Sequence, residues 1–332
     1  MSKMRQSKFA VASPVTVNNA GLHMDPVVSA AWLYYEDHLT QSDIAQLLGV
    51  SRATIINYLS EARRRGVVKI SIASEYFETM QLAKEIRDQY GLDRCIVVPD
   101  DQGRRSSAQR VGEAGAQLLS TMVEPGDMLG VSWGQTVLAL SNAIERHPTP
   151  DLSVIQITGS MMATYAFSPE LCTSNIADRF GARCINLHAP ALVSSAEIKS
   201  ILYLEPALIP QLELLQTCNK IVFGVGNLDP NSTIFGSGIV TPEAAQPYMD
   251  RGAVSVIAGR YLDSAGQPIH DHLDDRMIGL TLDEIDKISI RICVAGGESK
   301  VEAIRAALNG RHATILVTDE LAARALVRGM SE

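Results

Sequence analysis

Two glycine-rich stretches and one basic helix carry the side chains through which this chain can do chemistry. Gly130-Val131-Ser132-Trp133-Gly134-Gln135-Thr136 lies between an apolar run and a helical one. Successive backbone N–H groups at such a turn, with the Ser132 and Thr136 hydroxyls and the start of the next helix, form a cradle for an anion such as phosphate. The GxxxxGK[ST] spacing of a P-loop is absent, and the same residues also fit a plain tight turn. Ala295-Gly296-Gly297-Glu298-Ser299-Lys300 likewise ends an apolar run and opens a helix with Ala303, Ile304 and Leu308. Lys300, one turn in, either reaches a phosphate or sugar oxygen or stands solvated on the surface. Thr158-Gly159-Ser160 closes a third apolar run, facing the same cleft or making a simple turn. Gly224-Val225-Gly226 and Gly236-Ser237-Gly238 fail to complete GxGxxG before a helix, which excludes a dinucleotide site and leaves close backbone approach to a small ligand. His270-Asp271-His272-Leu273-Asp274-Asp275 is the densest group of metal-ligating types, but in a loop without ligand spacing, so neither metal nor cofactor is expected. No GxSxG, HExxH or paired Cys/His arrangement gives catalysis local support.

The basic helix belongs to Leu39–Gly66, which spells two short helices joined by a tight turn. Thr40 with Asp43 three residues on forms a capping box, and Ile44, Ala45 and Leu48 make the inner face. Gly49 stops that helix, Val50 plugs back into the core, and Ser51 caps the next helix. Ile55, Leu59 and Ala62 then share one face, so Arg52, Ala53, Ile56, Asn57 and Ser60 point away from the core. Arg pairs with guanine and Asn with adenine in the major groove, so this face suits base reading. The Arg63-Arg64-Arg65 run and Lys69 suit phosphate contacts. Val67–Ile72 alternates like a strand, half of a wing beside a DNA backbone. A helical hairpin with a solvated polar face is the other reading.

Elements on either side must position these groups. Residues 1–24 are polar, without periodicity, and are expected to be a disordered tail. A helix from Asp25, with Val28, Ala31, Trp32 and Tyr35 as its stripe, packs behind the hairpin, completing a winged helix-turn-helix over residues 25–74. Residues 75–91, with Met80, Ala83, Ile86 and Tyr90 on one stripe, read as a linker or oligomerisation helix ended by Gly91. Over 92–332 short Val/Ile-rich runs alternate with helices: Cys95–Val98, a helix over Ser107–Met122, Met128–Ser132, a helix from Thr136, then Val154–Thr158, Ala182–Leu187, Lys220–Val225, Ser255–Ile257, Ile290–Ala295 and Ala313–Val317. Such runs predict an α/β domain with a mostly parallel sheet covered on both faces, binding ligands at strand ends.

Charge divides the chain the same way. Residues 1–74 hold eight Lys/Arg against five Asp/Glu, so the overall −8 leaves −11 for the remainder. A small basic head suits nucleic acid, and an acidic bulk does not. Five scattered cysteines without CxxC spacing point to a reduced, cytoplasmic protein. No apolar run approaches the roughly 18 residues of a membrane span.

The order of the head, GVSWGQT, Gly259-Arg260-Tyr261-Leu262-Asp263-Ser264-Ala265-Gly266, AGGESK and Val317-Thr318-Asp319-Glu320 resembles the SorC family of bacterial sugar-responsive transcriptional regulators, from about residue 27 to the C-terminus. The resemblance implies a winged helix-turn-helix followed by a Rossmann-like effector domain akin to ribose-phosphate isomerases and glucosamine-phosphate deaminases. It implies a homodimer or homotetramer, with double-stranded operator DNA and a sugar, polyol or sugar phosphate as partners. By position, Ser132, Gly134, Gln135 and Thr136 match the family's anion-holding loop; Thr158, Gly159 and Ser160 line its cleft; Gly224 and Gly226 form its second glycine turn. Asp263 matches the residue meeting sugar hydroxyls and Lys300 the lysine meeting phosphate. In the head Ser51, Arg52 and Thr54 fit the family's Ser-Arg-x-Thr start, and Gln41, Asn57, Tyr58, Arg63, Arg64 and Lys69 complete the expected DNA-contacting set. Two residues beyond Thr54 the family has Ser-Arg where this chain has Ile56-Asn57, an adenine contact in place of a guanine contact. Two functions follow: a regulator whose enzyme-like domain only senses ligand, or a sugar-phosphate isomerase or deaminase bearing a DNA-binding head. The enzyme needs a positioned carboxylate or His near a sugar C1 or C2 proton, for which Asp263, Asp271 and His272 are the candidates.

Overall fold

The computed structural model describes residues 25–69, 74–161 and 167–328; the expectations for the tail and for a strand over 70–72 lie outside the described residues. The chain divides into two compact units, 1–72 and 73–332.

The first unit holds α1 (Pro26–Tyr35), α2 (Gln41–Leu48) and α3 (Arg52–Arg64). Asp25 caps α1 by accepting from the Val27 N–H, and the Thr40–Asp43 capping box opens α2. Gly49 takes φ 68°, a left-handed conformation that L side chains adopt only with strain, and α3 follows two residues later under its Ser51 cap. Ile44, Ile55, Leu59 and Ala30 form the unit's core. One expectation is corrected: α1 turns Val27, Ala30 and Ala31 inward and leaves Trp32 60% exposed. The small alanines let α1 approach α3 more closely than an indole would. Val67 and Val68 form a bend rather than a strand.

In the second unit α4 (Ser74–Tyr90) leads to β1 (Arg94–Val98), α5 (Ser107–Met122), β2 (Met128–Val131), α6 (Gln135–Ala143) and β3 (Ser153–Gln156). Next come α7 (Pro169–Phe180), β4 (Arg183–Ile185), α8 (Ala196–Tyr203), α9 (Ile209–Leu215), β5 (Lys220–Phe223), α10 (Thr233–Gly236) and α11 (Pro242–Asp250). The chain continues through β6 (Ala253–Ile257), β7 (Arg260–Asp263), α12 (Leu282–Asp286) and β8 (Ile290–Val294) to a 3-10 turn at Glu298–Lys300. It closes with α13 (Val301–Asn309), β9 (Ile315–Asp319) and α14 (Glu320–Arg328).

Seven strands make one parallel sheet in the order β1-β9-β8-β5-β2-β3-β4. Alternate residues feed two cores: Ile221, Phe223 and Cys293 on one side, Val222, Ile292 and Val294 on the other. Both faces are therefore covered, which is why the strands read as continuous apolar runs. Two expectations change. Ser255–Ile257 belongs to an antiparallel β6–β7 hairpin outside the main sheet. On α4, Ile86 is buried against the second unit's core with Leu82, Ala83 and Tyr90 beside it, while Met80 is 61% exposed.

His312 ties the turn that follows β7 to Asp286 at the end of α12. It is buried, with Nδ1 3.0 Å from an Asp286 carboxylate oxygen and Nε2 2.8 Å from the Gly266 carbonyl. Burial alone pushes its pKa down, but the hydrogen bonds to Asp286 and Gly266 outweigh burial and the nearby Arg291, and hold it above the usual value. Both partners are acceptors, so both ring nitrogens must donate and the imidazolium is the bound form. A raised folded-state pKa stabilises fully below the unfolded value of about 6.5 and is lost as pH rises through the folded one. The thermal midpoint of the wild type is therefore expected to fall with pH over that window, and His312→Gln to flatten the profile in parallel scans.

Candidate functional site

Chain order reverses between β2 and β5: β3 and β4 continue to one side of the sheet, β8 and β9 lie on the other. Loops leaving the carboxyl ends of such neighbours diverge, and there parallel sheets bind ligands. An open cleft lies at this point, lined by Ser132–Val137 after β2, Gly224–Gly226 after β5, Thr233 and Ile234 of α10, Val256, Ala258 and Gly259 of the hairpin, and Lys300. Antiparallel hydrogen bonds of 2.9 Å between Gly226 and Val256 hold the hairpin against the β5 loop.

The β2 loop is made for donation. Gly134 at φ 126° turns the chain into α6, and the Gln135, Thr136 and Val137 amides make no hydrogen bond among the described residues. No side chain caps α6. Ser132 and Thr136 are buried, and their hydroxyls also have no partner among the described residues. A helix start with three free amides attracts negative charge.

Lys300 supplies the cation. Gly296 packs so tightly that an added methyl group would lie 2.7 Å from Ser107 Oγ, and Gly297 takes φ 94° before the 3-10 turn. Ser107 Oγ in turn donates to Asp319, whose other oxygen accepts from the Ala322 N–H. The lysine so placed has no side-chain hydrogen bond or ion pair among the described residues, and burial pushes its ammonium pKa below the ordinary lysine value. The Cys293 thiol nearby is pushed up to about 12 by burial, so it is neutral. Among the described residues no carboxylate or imidazole lines the cleft. Amides, hydroxyls and an ammonium in one place are a donor set suited to an anion.

Of the residues singled out in the sequence, Ser132, Gly134, Gln135, Thr136, Gly224, Gly226 and Lys300 converge here. Four do not line the cleft. The Ser160 hydroxyl donates to the Leu187 carbonyl, Thr158 is buried beside Gly279, and a methyl group on Gly159 would lie 2.4 Å from the Pro190 oxygen, so this segment packs against the 187–191 loop. Asp263 closes the turn after β7 by accepting from the Gln267 N–H at 2.8 Å. Asp271 and His272 pair with each other, and Asp274 holds Tyr248 and Arg260, outside the cleft. Thr233, Ile234 and the hairpin wall carried no sequence signal, because only tertiary pairing brings them to the cleft. Trp133 stacks on Phe167 with centroids 6.3 Å apart, closing one side.

In the first unit α3 presents Arg52, Ala53, Ile56, Asn57 and Ser60 outward. Arg52 and Asn57 have no side-chain partner among the described residues. The basic run is less free than its sequence suggests. Arg64 pairs with Glu61 at 2.5 Å, Arg65 pairs with Asp25 at 2.5 Å, and Arg63 Nε donates to the Leu59 carbonyl. Ser51 and Thr54 hydroxyls bond each other at 2.8 Å within the cap. Tyr58 is half-buried against the core, while the side chains of Gln41 at the start of α2 and Lys69 have no hydrogen bond or ion pair among the described residues.

A cleft lined by amide and hydroxyl donors and a lysine thus lies at the switch point of the parallel sheet, in a chain that also carries a compact three-helix unit. Residues 74–328 match the family model described as "Putative sugar-binding domain". The chain is 36% identical over 309 residues to the uncharacterized transcriptional regulator YjhU of Escherichia coli K12, covering 91% of this chain and 94% of that one. It is 32% identical to the transcriptional regulator LsrR of an Enterobacter species, covering 91% and 92%. The full-length sorbitol operon regulator SorC from Klebsiella pneumoniae superposes with a TM-score of 0.70 at 25% identity, covering 91% of this chain and 98% of that one. The chain belongs to the SorC family of sugar-binding transcriptional regulators. No helix among the described residues is long and apolar enough to cross a membrane.

Proposed function

We propose that this chain regulates a carbohydrate or polyol catabolic operon, with its three-helix unit as a winged helix-turn-helix on operator DNA and a phosphorylated sugar or polyol as effector in the cleft after β2 and β5. The observation that carries the effector reading is the convergence of three free amides, two free hydroxyls and the unpaired Lys300 ammonium on one cleft without a carboxylate. A phosphate monoester has the oxygens and charge to engage all of them. The sorbitol operon regulator supports a polyol or sugar as the organic part. The acidic effector unit and basic head support DNA contact through the head alone. The effector shifts operator occupancy by its differential affinity for two conformations of a homo-oligomer.

Calorimetry of the full chain against sugar phosphates, polyol phosphates and the parent sugars and polyols tests the effector. Tight binding of phosphorylated compounds alone is expected. Binding of only the unphosphorylated compounds overturns the phosphate, and turnover of any of them overturns the sensing role in favour of an isomerase or deaminase.

The cations of the head that lack a carboxylate partner among the described residues give a separate expectation. Lys69→Ala and Arg63→Ala should weaken binding to every duplex alike and lower the slope of log K against log salt by about 1 each. Arg64→Ala should change it less, because Arg64 already pairs with Glu61. Fluorescence anisotropy across a salt series reads all three.

A further inference from the structure

The outward face of α3 carries one apolar side chain that folding does not use. Ile56 is 46% exposed, although its neighbour Ile55 is fully buried and Leu59, one turn on, is 4% exposed. Of its neighbours on the helix surface Arg52, Ala53 and Ser60 are exposed and only Leu59 is apolar and buried, so the side of Ile56 away from Leu59 is open. A β-branched residue is a poorer helix former than the Ala, Arg or Lys that would otherwise serve at an exposed site. Ile56 therefore costs the fold helix propensity and leaves nearly half of its apolar surface in solvent.

Its surroundings supply a purpose. Around the helix, Ile56 falls about 40° from Arg52 and about 100° from Asn57. These two flanking side chains are the ones left without partners, whereas Arg64 and Arg65, further along, are held by Glu61 and Asp25. The face thus sets a branched apolar group between a free guanidinium and a free carboxamide. The major-groove edge of B-DNA offers a matching set: guanine acceptors for Arg, the adenine donor–acceptor pair for Asn, and a single kind of apolar group, the C5 methyl of thymine. We propose that Ile56 is a specificity-determining residue that packs on a thymine methyl, so that each operator half-site carries a thymine read through its methyl beside the bases read by Arg52 and Asn57. This rests on α3 being the DNA-reading helix.

Duplexes enriched from a randomised library by the full-length protein supply the site, and each thymine in it is then replaced singly by deoxyuridine, which removes only the methyl. Wild type is expected to lose about four-fold in affinity at one thymine per half-site, the worth of one buried methyl group. Ile56→Ala should bind the thymine and uracil duplexes equally, and Ile56→Val, which keeps the branch, should retain the discrimination. Exposure of the side chain keeps these variants folded. Uracil tolerated at every position by wild type, or the same thymine dependence persisting in Ile56→Ala, overturns the proposal. An affinity loss in Ile56→Ala that is equal for both duplexes and accompanied by a changed oligomeric state assigns the residue to a protein contact instead. Failure to enrich any duplex removes the DNA reading, and this inference with it.

Discussion

Lys300→Ala is expected to weaken binding of a phosphorylated effector by about 1.5 to 3 kcal/mol, the range for a hydrogen bond to a charged group, or about 10- to 150-fold. The substitution removes the one cation that the described residues bring to a cleft whose other donors are neutral amides and hydroxyls. Those donors give direction, and the ammonium gives charge. The loss should be larger for the phosphate ester than for its parent sugar, which separates a phosphate contact from general damage to the site. pH supplies an independent reading. Burial lowers the Lys300 pKa, so the bound-competent ammonium is lost on raising the pH sooner than an ordinary lysine would lose it. The ligand needs its second phosphate ionisation, near pH 6, on the other side. Effector affinity should therefore rise through that lower limit and fall at alkaline pH, and Lys300→Ala should retain the rise and lose the fall. Calorimetry across pH with both proteins measures it; an alkaline fall that survives in the variant removes Lys300 from the site. Operator affinity without effector should stay near wild type, leaving a protein locked in its ligand-free behaviour.

How far the sequence foretold this site depends on whether local or distant residues decide each position. The helix over Ser107–Met122 is legible to the residue, because Ser106 with Gln109 forms a capping box and the segment beyond Met122 leaves helical geometry. Ser132–Thr136 and Lys300 are legible for the same local reason: a glycine, polar residues and a helix start directly after an apolar strand can be read without knowing the sheet order. Asp263 is different. Whether it meets the cleft or closes a turn depends on how the hairpin docks, and that docking runs through Gly226 and Val256 and through His312 and Gly266, pairs far apart in sequence. Ser255–Ile257 carries the apolar pattern of any buried strand, so its removal to a separate antiparallel hairpin leaves no local trace. Trp32 and Met80 show the limit of periodicity: on α1 the buried stripe runs through Val27, Ala30 and Ala31 rather than Trp32, and on α4 Ala83, Ile86 and Tyr90 meet the core as their spacing suggests while Met80 at the same spacing does not. The ion pairs that occupy Arg64 and Arg65 are likewise invisible in a run of three arginines.

Arg52→Ala and Asn57→Ala are each expected to cost about 1 to 3 kcal/mol in operator binding, the worth of a good bidentate base contact, and to relax base preference at one position per half-site. The structure makes the pair a sharper test than the basic run. Both side chains are exposed and unengaged, so truncation breaks no contact within the fold, and a loss of affinity cannot be a loss of stability. The two also differ in charge. Asn57→Ala removes a neutral group, so the salt dependence of binding should be unchanged while discrimination at its base disappears. Arg52→Ala removes a cation aimed at a base edge, so discrimination should fall at a different position, with at most a small change in salt slope. Lys69 and Arg63 should show the converse, a lowered slope with base preference intact. Footprints and binding curves on the selected duplex and its single-base variants, taken at several salt concentrations, resolve the four variants. Unchanged footprints and affinities in both Arg52→Ala and Asn57→Ala would take base reading away from α3. Loss of the same base preference in both would mean that the two side chains share one base pair, and the half-site would then be shorter than two independent contacts require.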